Sequence, residues 1–181
     1  MQNSAPACRV DPFEMLRSSH RRLEERLCDL EAAAVDIDDP ELEAAATEAC
    51  ESVVSFLGRQ VARHEEDEEK SLFPRLEGFP ELGPILAELS EQHEEQRRLA
   101  VELGALLSGA PDGPALRAVA AKLKEAYTRH IEQEERDLFP AAGKLLGPDS
   151  QADIADEMEA RRGQGGGGGG GRGGGGGRRK A

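Results

Sequence analysis

Apolar side chains recur along this chain at spacings of three and four for most of its length. Phe13, Leu16, His20, Leu23, Leu27 and Leu30 form one such stripe, opened by Asp11-Pro12, a capping acid followed by a first-turn proline. The spacing predicts a helix from there to about residue 36. Asp38-Asp39-Pro40 breaks the pattern and is expected to cap a second helix. That helix carries Cys50, Val53, Val54, Leu57, Val61, His64 and Glu68, and Gly78-Phe79-Pro80 ends it. A third carries Leu82, Leu86, Leu89, His93, Ala100, Leu103 and Leu107. After a loop at Gly109–Pro114, a fourth carries Leu116, Val119, Leu123, Tyr127, His130, Glu134 and Leu138. Four long helices on short connections predict an all-α, up-down-up-down four-helix bundle.

A short fifth helix, roughly Ser150 to Arg161, is expected to pack Ile154 and Met158 onto the bundle end. Residues 163–181 contain 13 glycines and cannot bury a core, so a disordered tail acting as a linker or tether is expected. The domain reading is thus an extension over 1–10, the bundle over 11–162 and the tail over 163–181.

Composition narrows the functional classes. Aromatic residues make up only 3% and Trp is absent, so the core is aliphatic. Residues 1–160 hold all 36 acidic residues against 17 Lys and Arg, a net charge of −19. Such a body is a poor partner for nucleic acid or anionic membranes. Cys8, Cys28 and Cys50 are odd in number and show no Cys-x-x-Cys pairing, which argues against a disulfide framework or a zinc ribbon. No stretch has the length of a membrane span or the pattern of a secretory leader, so a cytoplasmic location is expected.

The chemistry lies in the histidines. All four fall on apolar stripes, one per helix. Two open near-copies of one phrase, His64-Glu-Glu-Asp-Glu68-Glu-Lys-Ser-Leu72-Phe73-Pro74 and His130-Ile-Glu-Gln-Glu134-Glu-Arg-Asp-Leu138-Phe139-Pro140. At 100° per residue, Glu68 and Glu134 fall within roughly 10° of the centre of their buried faces. Glu65, Glu66, Asp67 and Glu69 scatter over the sides and outside. A carboxylate facing a core costs several kcal/mol unless a cation or hydrogen-bond donors neutralise it. Glu24 and Arg97, four residues after His20 and His93, lie roughly 70° off their stripes, at the flank.

The expected metal site is therefore His20, His64, Glu68, His93, His130 and Glu134. A single inward histidine is ordinarily a hydrogen-bonded core residue; four of them with two inward glutamates are not. Leu72-Phe73 and Leu138-Phe139 read as core, as does Tyr127, with each proline bending or ending its helix. Six ligands exceed one tetrahedral zinc, and four imidazoles are too nitrogen-rich for calcium or magnesium. Shared between two ions, they give two histidines per metal with both glutamates bridging and a solvent oxygen between. Such a set suits iron, with manganese or zinc open.

The order His20…His64-x-x-x-Glu68…His93…His130-x-x-x-Glu134, with Leu-Phe-Pro after each pair, resembles the hemerythrin-like (HHE cation-binding) domain family over about residues 11–162. The segment Asp153–Arg162 is also similar to it. The resemblance implies a bundle holding two non-haem iron ions, oxo- or hydroxo-bridged. It departs from the oxygen-carrying members, which have His-x-x-x-His where this chain has His93-Glu-Glu-Gln-Arg97, and which end with His-x-x-x-x-Asp where it offers His130-x-x-x-Glu134, with Glu135 in the other register. It is closer to the hemerythrin domains of iron–sulfur-repair and iron-sensing proteins. The implied function is binding or sensing of O2, NO or iron itself. The alternative is a di-iron redox enzyme acting in NO or peroxide detoxification or cluster repair.

Overall fold

The computed structural model describes residues 10–109 and 112–164, and among these it is helical throughout, without a strand. Helix α1 (Pro12–Asp36) starts where the sequence places it, with the Phe13 amide donating to Asp11 Oδ1 at 2.8 Å. The second column is α2 (Glu43–Phe56), a π segment (Leu57–Val61), α3 (Ala62–Asp67), a second π segment (Glu68–Leu72) and α4 (Phe73–Leu76). A 3₁₀ turn (Pro80–Leu82) leads into α5 (Gly83–Leu107). The fourth column is α6 (Gly113–Gln133), a π segment (Glu134–Leu138) and α7 (Phe139–Leu145), and α8 (Pro148–Gln164) follows. Neighbouring columns pack as α1 on α2, α2 on α5, α5 on α6 and α6 back on α1, which closes the four-helix bundle.

Several boundaries differ from the expectation. Helix α2 has no side-chain cap; Asp39 instead organises the turn before it, its Oδ1 accepting from the Glu41 amide at 2.9 Å. The loop before the fourth column is shorter, because Asp112 caps α6 through the Ala115 amide and Pro114 sits in its first turn. Pro74 and Pro140 do not end their helices. A widened turn precedes each, the amides of Phe73 and Phe139 reaching five residues back to the carbonyls of Glu68 and Glu134. That extra room absorbs the clash a proline ring makes with the carbonyl four residues earlier, so the column continues. The expected tail falls mostly on residues 165–181, and the expected extension mostly on 1–9, both outside the described residues.

The core is split into two. One apolar cluster, including Leu23, Leu27, Leu30, Val53, Leu103, Leu123 and Tyr127, fills one half of the bundle. The other, including Leu16, Leu72, Leu89, Leu138 and Phe139, fills the opposite half, and Ile154 and Met158 of α8 are fully buried in it. Between the two lies a layer of buried polar side chains: His20, His64, Glu68, His93, His130 and Glu134.

Candidate metal centre

The six donors converge because each lies on the inward face of its column, one each from the first and third columns and two each from the second and fourth. His20 comes from α1, His93 from α5, His130 from α6 and His64 from α3. Glu68 and Glu134 each open a π segment. The relation between His64 and Glu68 stays α-helical, since the Glu68 amide donates to the His64 carbonyl before the turn widens. Both side chains therefore stack on one face.

The imidazoles form two pairs, Nε2 facing Nε2: His20 and His64 at 3.1 Å, His93 and His130 at 3.3 Å. The two carboxylates lie between the pairs. Glu68 places Oε1 3.1 Å from His64 Nε2 and Oε2 3.2 Å from His93 Nε2. Glu134 places Oε2 3.1 Å from His20 Nε2 and 3.5 Å from His130 Nε2. Despite these distances, none of the four carboxylate oxygens accepts a hydrogen bond. Buried polar atoms are normally satisfied, so orphaned oxygens and imidazole nitrogens aimed at common points are the arrangement a cation requires. The donors divide into two metal-sized groups, His20–His64–Glu68–Glu134 and Glu68–His93–His130, which share Glu68.

The outer ring nitrogens are held by residues outside the expected set. His20 Nδ1 donates to Glu135 at 2.7 Å and His93 Nδ1 to Glu69 at 2.9 Å. His130 Nδ1 donates to Gln92 at 3.0 Å, and Gln92 in turn to Gln133. A proton fixed on Nδ1 leaves Nε2 as the ligating atom. Phe139 stacks on His20 with an interplanar angle of 11°, and Phe73 on His93 with 7°. The Leu-Phe-Pro motif is core, as expected, and its rings also fix two imidazole planes. The fourth column thus supports His20 of the first, and the second column supports His93 of the third.

Protonation follows from the contacts. Burial pulls His20 down, yet the close approach and charge of Glu134, helped by Glu68 and Glu135, carry it up to about 9. His93 also rises to about 9 against its burial, through Glu68, Glu65 and Glu69. Burial, with the neighbouring imidazolium charges, holds His64 well below its ordinary value and His130 down at about 4. Burial and the charge of Glu134 push Glu68 up. Burial acts on Glu134 too, but the surrounding histidines outweigh it and keep that carboxyl ionised.

Two expectations about the flanks are corrected. Glu65 and Asp67 are buried, not on the sides and outside, because other elements cover those flanks. Arg97 of α5 bonds Glu65 through Nε at 2.7 Å and also pairs with Glu69. Arg161 and Arg162 of α8 hold Asp67 at 2.7 and 2.9 Å. Glu66 is exposed and paired with Lys70, as its face predicts. Tyr127 is core. Cys28 is exposed, Cys50 is buried, and both are free thiols. No helix among the described residues is long and apolar enough to cross a membrane.

A helical bundle whose mid-layer gathers four histidines and two glutamates is a metal-binding fold. The family model for the hemerythrin HHE cation binding domain matches residues 11–142, and the chain belongs to that family. It is also similar to a protein described as a DNA nickase from Nostoc sp. (strain PCC 7120 / SAG 25.82 / UTEX 2576), 28% identical over 102 residues. That match spans 56% of this chain and 28% of the relative, so the chain covers well under a third of the relative's length.

Proposed function

We propose that the centre holds two ions, iron foremost, and takes up a small ligand such as O2 or NO, or responds to iron itself. His20 and His64 would hold one ion, His93 and His130 the other, with Glu68 and Glu134 shared. The observation that carries this reading is Glu68, whose two oxygens face histidines of the two different pairs. Iron supplies electron exchange with small oxidants. The chain's own residues orient four Nε2 atoms, supply two anionic oxygens, and seal the layer between two apolar half-cores.

The side chain of Arg97 favours redox chemistry over reversible carriage. It sits one turn beyond His93, where the oxygen-carrying members of the family have a third imidazole, and it turns away to Glu65 and Glu69. One ion would then keep an exchangeable position. The DNA-nicking activity named for the relative is left with that protein, since the bundle's acidity disfavours nucleic acid. No nucleic-acid or membrane partner is proposed for the bundle, and a cytoplasmic setting is part of the reading. Stopped-flow mixing of the reduced, iron-loaded protein with O2 tests it. Decay of the initial adduct by oxidation is expected, and a long-lived, fully reversible adduct would return the chain to the carrier class.

A further inference from the structure

Three of the four imidazoles have a protein partner for the outer nitrogen: Glu135, Glu69 and Gln92. His64 does not. Its Nδ1 is buried and has no hydrogen-bond partner, while its Nε2 faces His20 and Glu68. With Nε2 committed to the cluster, the neutral ring carries its proton on Nδ1, so a buried donor is left unmatched. Leaving such a donor unmatched is unfavourable, and sites that do so commonly receive a partner from solution.

His64 also forms part of the wall of a cavity of about 50 Å³. The remaining wall includes Ser19, Gln60 and three arginines, Arg22, Arg63 and Arg162. Arg162 is shared with Asp67. Arg22 bonds the Ser19 hydroxyl, and among the described residues neither it nor Arg63 makes an ion pair. Three arginines in the wall of one small cavity, beside Leu23, Phe56 and Val61, stand out on a chain whose net charge is −13. A water needs roughly 10–15 Å³ on this measure, so the cavity has room for about three to five water-sized groups. Neutral gases gain nothing from guanidinium groups; planar oxyanions are what these forks bind.

We infer that this cavity is a binding site for a small planar oxyanion of the carboxylate, nitrite or bicarbonate class. The anion sits between Arg22, Arg63 and Arg162 and accepts the Nδ1–H of His64. It serves His64 as Glu135 serves His20 and Glu69 serves His93. The inference rests on the metal-centre reading only in taking His64 Nε2 as the inward atom. An anion there makes that nitrogen a stronger donor, so occupancy would tune one half of the centre through its outer shell.

The test uses the metal-free full-length chain, with nitrite as the probe and chloride at equal ionic strength as the control. Histidine-selective nitrogen labelling reads the His64 ring. A saturable His64 shift with nitrite is expected, with chloride producing little. The Arg22→Gln and Arg63→Gln variants should each weaken nitrite binding about tenfold, the loss of one charge-assisted contact. His64→Gln should abolish the response. Absence of a saturable shift up to about 100 mM nitrite, an affinity too weak to matter, would overturn the proposal. So would equal affinity in the arginine variants, or an equal response to chloride. Failure of the metal-centre reading shows separately as lost metal stoichiometry and leaves this titration intact.

Discussion

Glu135 stands 2.7 Å from His20 Nδ1, joining the first and fourth columns across 115 residues of sequence. Its neighbour Glu134 faces the inner nitrogen of the same ring at 3.1 Å. One helical step therefore supplies an inner carboxylate to the cluster and an outer one to orient a ligand. Glu68 and Glu69 repeat the arrangement around His93 at 3.2 and 2.9 Å.

Glu135→Ala should weaken metal affinity by about 10- to 100-fold, the usual effect of losing a carboxylate behind a ligating histidine. Competition against a chelator of known affinity measures it. Glu135 is about one-third exposed, so the fold should survive and the helical circular dichroism should be unchanged. An affinity within twofold of the wild type would mean Phe139 stacking alone holds the ring.

Metal uptake near pH 7 should release about three protons per chain: one each from His20 and His93, which titrate at about 9, and one from the Glu68–Glu134 pair. Calorimetry in buffers of different ionisation enthalpy counts them. The same groups set the stability of the metal-free protein. His20 and His93, raised in the fold, contribute stability that is complete below about 6.5 and lost as pH climbs through about 9. His130, lowered to about 4, contributes stability complete above about 6.5 and lost as pH falls toward 4. The cluster therefore favours the metal-free fold most near pH 6.5. A proton release near zero would show that the pocket is already deprotonated before metal arrives.

Asp67 is fully buried beside Glu68 and bound by two arginines of α8, so it fastens that helix to the centre. Asp67→Asn should lower unfolding stability by about 1–3 kcal/mol, as for a buried hydrogen bond to a charged group. Glu66→Ala, which loses only an exposed pair with Lys70, should stay within about 0.5 kcal/mol of the wild type. Denaturant midpoints compare the two. Equal effects would mean α8 is held by its other contacts, Ile154 and Met158 in the core and the Glu157–Arg75 pair.

The six inward donors were readable because helical periodicity reports one thing well, the angular position of a side chain on its own helix. His20, His64, His93, His130, Glu68 and Glu134 needed nothing more to be placed together. Glu65 and Asp67 defeated the same reasoning, since their burial depends on what lies over the flank. No periodicity announces that Arg97 or Arg161 will cover them. The π turns at Glu68–Leu72 and Glu134–Leu138 were hidden too, because one widened turn barely disturbs a stripe of apolar residues. Their trace is the proline six residues after each glutamate. Glu69 and Glu135 were the recoverable omissions. They follow the inner glutamates in both copies of the repeat, and a duplicated acid at a fixed offset is a signal of its own.

Sharing of Glu68 and Glu134 between two ions, as proposed, fixes how much metal the chain can hold. Elemental analysis after anaerobic iron loading measures it most directly, on the wild type, Glu68→Ala and Glu66→Ala, with circular dichroism to verify the fold. Two iron ions per chain are expected for the wild type and Glu66→Ala, falling to one or fewer in Glu68→Ala. A single ion per chain in the wild type, or the same content in both variants, would contradict that sharing.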